Sequence, residues 1–94
     1  MATFFIFGKY AAAGAEAISA SRTEEARGLI QRLGGRVIDI YALLGEYDVV
    51  IIADLPRMAE AMQASIALKR LTEMSFFTVP AMPIEEFDKL CGGR

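Results

Sequence analysis

The sequence predicts an α+β domain of the split βαβ type: a four-stranded antiparallel sheet, two helices on one of its faces and a short C-terminal helix. Three observations carry this. The runs T-F-F-I-F-G-K-Y from Thr3 and V-V-I-I-A from Val49 are apolar at consecutive positions, the pattern of strands covered on both faces. Two longer stretches repeat apolar residues at helical spacing, each between two strand-like runs. Finally, the element order βαββαβ is that of the split βαβ motif.

Strand one is expected over Thr3–Tyr10, followed by a small-residue stretch, Ala11–Ala20, as a loop or loose helical turn. Ser21-Arg22-Thr23-Glu24 has capping-box spacing, in which the serine hydroxyl accepts from a backbone N–H three residues on and the glutamate reaches back. Ala26, Leu29, Ile30 and Leu33 then recur at i, i+3, i+4 and i+7, which makes a one-faced helix, and Gly34-Gly35 supplies a left-handed stop.

Arg36–Leu44 is expected as strand two, with Ile38, Ile40, Ala42 and Leu44 on one face and Val37, Asp39, Tyr41 and Leu43 on the other. Gly45-Glu46-Tyr47 makes a tight connection into strand three, Val49–Ala53. Asp54 is placed as a helix cap, with Pro56 near a first helical turn that tolerates it. Helix two is expected to turn Met58, Met62, Ser65 and Ile66 inward and to end near Leu71. Strand four, Ser75–Val79, is stopped by Pro80 and Pro83, and Ile84, Phe87 and Leu90 make a last amphipathic turn or two. In this ferredoxin-like topology the spatial order is 4-1-3-2, which puts the two most hydrophobic strands in the middle.

At 94 residues the chain forms one domain, residues 1–94, with room for one core. An apolar fraction of 54% exceeds what a monomer of this size hides. A membrane is not its destination: the uncharged stretch Met1–Gly8 falls far short of the roughly 20 residues of a spanning helix, and no basic n-region or cleavage site is present. The expected location is the cytoplasm. Two helices cover only one sheet face, yet strands one and three are apolar on both. A partner sheet stacked on the open face, in a homodimer or larger homo-oligomer, is the expected answer. The alternative is a monomer whose C-terminal segment folds across that face.

Ten basic against twelve acidic residues, with no basic block, leave no electrostatic footprint for nucleic acid. Cys91 has no second cysteine to pair with and no histidine to join it as a base or metal ligand, so it is assigned to packing beside Leu90. Asp39, Asp48 and Asp54 lack ligand spacing, and Met58/Met62 at i, i+4 are assigned to core packing before a copper site. No metal and no cofactor are expected, and haem is disfavoured by the absence of histidine.

The topology gathers scattered polar residues. Strands one and two run the same way, so Lys9, Tyr10, Arg22, Tyr47 and Asp48 share one end of the sheet and become candidates for lining one pocket. A cation beside a carboxylate and phenols binds a small anion or polarises a carbonyl, and a partly buried Asp48 or tyrosine exchanges protons. The competing structural account is a Lys9–Asp48 ion pair with tyrosines bridging core and solvent.

Lys9-Tyr10, Gly14, Ser21-Arg22, Gly34-Gly35, Tyr41 and above all Leu44-Gly45-Glu46-Tyr47-Asp48-Val49-Val50 resemble the GYD domain family, over essentially the whole chain. The resemblance implies a ferredoxin-like fold akin to the dimeric α+β barrel proteins and no established activity. Tyr41 joins the ligand-binding candidates with it. Lys69-Arg70-Leu71-Thr72 stands where the family tends to have a glycine-containing turn, and Thr78-Val79-Pro80 where it tends to have a basic residue. The leading expectation is an oligomeric binding or regulatory module for a small organic ligand. The alternatives are a cofactor-independent oxygenase or isomerase and a purely structural partner subunit.

Overall fold

The structure, a computed structural model, describes residues 1–10 and 20–92. The expectations for Ala11 to Ser19, including Gly14, and for Gly93 and Arg94 lie outside the described residues. The elements are β1 (Ala2–Lys9), α1 (Ala20–Arg32), β2 (Arg36–Ala42), β3 (Val49–Leu55), α2 (Met58–Thr72), β4 (Ser75–Ala81) and α3 (Ile84–Leu90). They form one four-stranded sheet in the order β2-β3-β1-β4, every neighbouring pair antiparallel, so the two most apolar strands are central.

One face of this sheet carries the core. Phe4 and Ile6 of β1 lie beside Ile51, Ala53 and Leu55 of β3, and against them pack Ala26 and Ile30 of α1 and Ala61, Ala64 and Leu68 of α2. Ala61 and Ala64 of α2 are buried in the same cluster as Phe4 and Ile6, which are sealed off from solvent. At about 25 cal/mol per Å² of apolar surface, a buried side chain of this size stabilises the fold by about 1.5–3 kcal/mol.

Several local expectations change. α1 begins at Ala20, so Ser21 sits inside the first helical turn rather than capping it. The helix stops as its glycines demand: Gly34 has φ +85°, and Gly35 donates its N–H to the Ile30 carbonyl at 3.0 Å, a Schellman closure. β2 contains a bulge between Val37 and Asp39. The extra residue, Ile38, is half exposed, and both Val37 and Ile40 pack on the core, so the simple alternation along this strand fails.

Asp54 is not a helix cap. It remains in β3, where the Thr3 hydroxyl donates to Oδ1 at 2.7 Å and Arg36 Nε donates to Oδ2 at 3.2 Å. Arg57 occupies the cap position of α2 and makes no side-chain capping bond. The inner face of α2 also differs from expectation: Ala61, Ala64, Leu68 and Thr72 are buried, while Met58, Met62 and Ile66 are more than half exposed. Hydrophobicity pointed to the larger residues, but it is Ala61, Ala64 and Leu68 of α2 that join the core cluster.

α2 ends with Glu73 at φ 60°, its N–H bonded to the Lys69 carbonyl. A non-glycine residue thus takes the left-handed turn that closes this helix. β4 runs through Pro80 to Ala81 instead of stopping before it, since an edge strand accommodates proline where its missing N–H faces away from the ladder.

The opposite sheet face is aromatic. Phe7 lies 5.2 Å from the Tyr47 ring, 6.3 Å from Phe5 and 6.4 Å from Phe77, and Tyr47 stacks on Phe77 at 6.0 Å and 11°. Phe77 is 51% exposed. α3 does not close over this face, for none of its residues is buried.

Candidate functional site

At the end of the sheet where β1 finishes and α1 begins, a cavity of about 80 Å³ opens between the sheet and the helices. Its apolar wall is made by Val49 and Ile51 of β3, Ile40 of β2, Leu68 of α2, and Met74 and Phe76. Ala26 of α1 contributes only a methyl group there, and that leaves the space unfilled. Gly8 is packed behind this wall: a Cβ on it would lie 2.8 Å from Met74 Cε and Val49 Cγ1 and 2.9 Å from Phe76 Cε1.

Polar groups stand among these walls. Among the described residues Tyr10, Arg22, Thr23 and Thr72 also line it. Thr72 is spoken for internally, its hydroxyl donating to the Leu68 carbonyl at 2.7 Å and accepting from the Met74 N–H at 3.2 Å. Arg22, in the first turn of α1, donates from Nη1 to the Leu71 carbonyl near the end of α2, so its guanidinium bridges the two helices at the cavity.

Asp48 acts one step back. Its backbone N–H donates to the Gly8 carbonyl at 2.8 Å, its carbonyl accepts from the Leu43 N–H at 2.8 Å, and its Oδ2 accepts from the Tyr10 N–H at 2.8 Å. A single residue therefore ties the β2–β3 connection to the end of β1 and sets the backbone of Tyr10 beside the cavity. The carboxylate itself is not among the lining groups.

The six candidates do not share one place; Asp48 stands behind the cavity and the other five divide further. Tyr10 and Arg22 share the cavity. Tyr47 lies on the opposite, aromatic face, in ring contact with Phe7 and Phe77. Tyr41 is half exposed on β2, donating its hydroxyl to Asp39 Oδ2 at 2.9 Å; that bond and the Asp39 charge raise the phenol above its usual range. Lys9 is exposed opposite Ser75, and no ion pair joins it to Asp48. Sequence reasoning missed Thr23, Ala26, Thr72, Met74 and Phe76, which come from four parts of the chain with no shared motif. The one local hint was the small Ala26 on the inward stripe of α1.

The run from Leu44 to Val50 is thus a structural joint next to the cavity, and it is the mark of a known family. The model of the GYD domain matches residues 4–91. The chain belongs to the GYD domain family. A search of curated proteins finds no match for it.

Two solved structures share the fold of this GYD domain. The leucine response regulatory protein LrpA of Mycobacterium tuberculosis superposes with a TM-score of 0.58 at 10% identity, covering 87% of this chain and 51% of that one. An AsnC-family transcriptional regulator from Agrobacterium tumefaciens gives 0.57 at 16% identity, covering 86% and 50%. The GYD chain therefore spans about half the length of either regulator. Within it, no described helix is long and apolar enough to cross a membrane.

Proposed function

We propose that this GYD domain is an oligomeric, small-molecule-binding regulatory domain of the cytoplasm, with a small organic ligand held in the cavity at Tyr10 and Arg22. The observation that carries the reading is the cavity itself: an apolar interior with a tyrosine, an arginine and two threonines in its lining, the composition of ligand pockets generally. Its size bounds the ligand. A cavity of about 150 Å³ is known to hold benzene, so about 80 Å³ takes the apolar end of a small metabolite, roughly three carbons.

Self-association through the aromatic face is the second part of the proposal. Phe5, Phe7, Tyr47, Phe77 and Val79 present a continuous apolar surface that α3 leaves open. A second copy applied face to face buries it.

Both fold neighbours are named as regulators, one of them of a leucine response, which supports a regulatory role by analogy of fold alone. The alternative, a cofactor-independent oxygenase or isomerase, needs a proton-transfer group in the cavity. Among the described residues Tyr10 and Arg22 are the ionisable ones that line it, and the Asp48 carboxylate is engaged with the Tyr10 N–H, so binding without turnover is the reading preferred. A purely structural subunit has no use for the cavity.

Native mass spectrometry of freshly purified protein tests both parts together. A dimer or higher oligomer carrying a small adduct per subunit is the expected spectrum. A bare monomer overturns the proposal.

A further inference from the structure

Among the described residues, two apolar stripes stand exposed. On α2, Met58, Met62 and Ile66 stand at i, i+4 and i+8, with exposures of 54%, 60% and 54%. They lie on the flank next to Ser65, whose hydroxyl meets that of Thr78 in edge strand β4. On α3, Ile84, Phe87 and Leu90 stand at i, i+3 and i+6, and no residue of that helix is buried. Each stripe is the kind of surface a partner helix covers.

The charges beside the stripes are complementary and give a direction. α3 carries Glu85, Glu86 and Asp88 against a single Lys89. The last turn of α2 carries Lys69 and Arg70, while at its other end Arg57 is already paired with Glu60 at 2.7 Å. The acidic start of α3 therefore belongs beside the basic end of α2. This orientation is antiparallel, and it also sets the positive end of one helix dipole by the negative end of the other.

The chain cannot satisfy this with its own α3. β4 returns antiparallel along α2, so Ala81 ends at the Met58 side and only Met82 and Pro83 precede α3. From Met58 to Ile66 the stripe is about 12 Å long at 1.5 Å per residue. Two linking residues reach at most about 10 Å, too little to run back along the stripe while also crossing to the helix flank. We propose that α3 of a second copy lies antiparallel along this flank of α2, with Ile84 beside Ile66, Phe87 beside Met62, Leu90 beside Met58, and Glu86, which flanks the stripe, towards Lys69. The exchange is reciprocal and joins copies other than the two stacked through the aromatic face, because in that stacked pair each α2 stands on the outer side of its own sheet, beyond the reach of the partner's two linking residues.

The inference rests on the self-association read above, because a contact by one seven-residue helix falls well below the roughly 1,200 Å² of a stable interface. It is tested in full-length protein with Met58→Cys and, separately, Ile66→Cys. Each is paired with the native Cys91, which is exposed directly after Leu90. Mild oxidation followed by non-reducing electrophoresis should convert Met58→Cys to a covalent dimer several-fold above the wild-type background, and leave Ile66→Cys at background. A dimer from Ile66→Cys instead, or an internally bridged Met58→Cys monomer, overturns the exchange. So does a wild type that native mass spectrometry finds dimeric while neither variant cross-links; the self-association reading then stands alone. A monomeric wild type removes both.

Discussion

The Tyr10 N–H donates to Asp48 Oδ2 at 2.8 Å across 38 residues of sequence, and this bond holds the end of β1 to the hairpin that marks the family. Asp48→Ala removes the acceptor and leaves a part-buried N–H unpaired. It should lower stability by about 1–3 kcal/mol in urea denaturation. Asp48→Asn keeps an oxygen at that place and should lose less. Equal losses for the two would mean that the carboxylate charge, rather than the hydrogen bond, holds the joint.

Two glycines face opposite kinds of obstacle. A Cβ on Gly35 would stand 2.4 Å from the backbone oxygen of Asp54, which cannot yield without moving β3. On Gly8 it would meet only side chains, one of them the flexible end of Met74. Gly8→Ala should therefore cost about 1–3 kcal/mol as its neighbours shift into the cavity. Gly35→Ala should cost more than that. The reverse ranking in urea denaturation would contradict this packing.

Leu68 is fully buried and forms one wall of the cavity. Leu68→Ala should destabilise the domain by about 2–5 kcal/mol and enlarge the cavity at the same time. A longer apolar ligand would then be admitted, which a thermal shift series of straight-chain alcohols reads out. No change in chain-length preference would place the ligand elsewhere.

The Thr3 hydroxyl, and secondarily Arg36, hold the Asp54 carboxyl below its usual range. A lowered folded-state pKa means that the stabilisation is complete above the unfolded value of about 3.9 and is lost as pH falls through the folded value. Asp54→Asn should therefore be less stable than wild type at pH 7, with the gap narrowing towards pH 3. A gap of constant size at both pH values would show no linkage.

On the open face, Phe5→Asp should convert the oligomer to a monomer, read as a smaller species in sedimentation velocity. An unchanged sedimentation coefficient would remove this face from the interface.

Much of the fold was legible because it rests on local chemistry. The glycines after Leu33, the β-branched run from Val49 and the apolar spacing of Ala26, Ile30 and Leu33 each report a backbone preference that neighbouring residues alone can express. From these follow the element order, the central placement of β1 and β3 and the exposure of one sheet face. The bulge at Ile38, the burial of Ala61 and Ala64 in place of Met58 and Met62, and the retention of Asp54 in β3 were decided elsewhere.

Each of those depends on what stands across the fold: the core cluster that Ala61 and Ala64 join with Phe4, or the Thr3 hydroxyl that meets Asp54. The candidate site divides the same way. The sequence determined that Tyr10, Arg22 and Asp48 come to one end of the sheet, since chain direction alone requires it. Only the tertiary structure decided that Tyr10 and Arg22 line a cavity, that Asp48 spends its carboxylate on the Tyr10 N–H, and that Tyr47 turns to the other face. Side-chain direction depends on packing and hydrogen bonding between residues far apart in sequence, which no local pattern encodes.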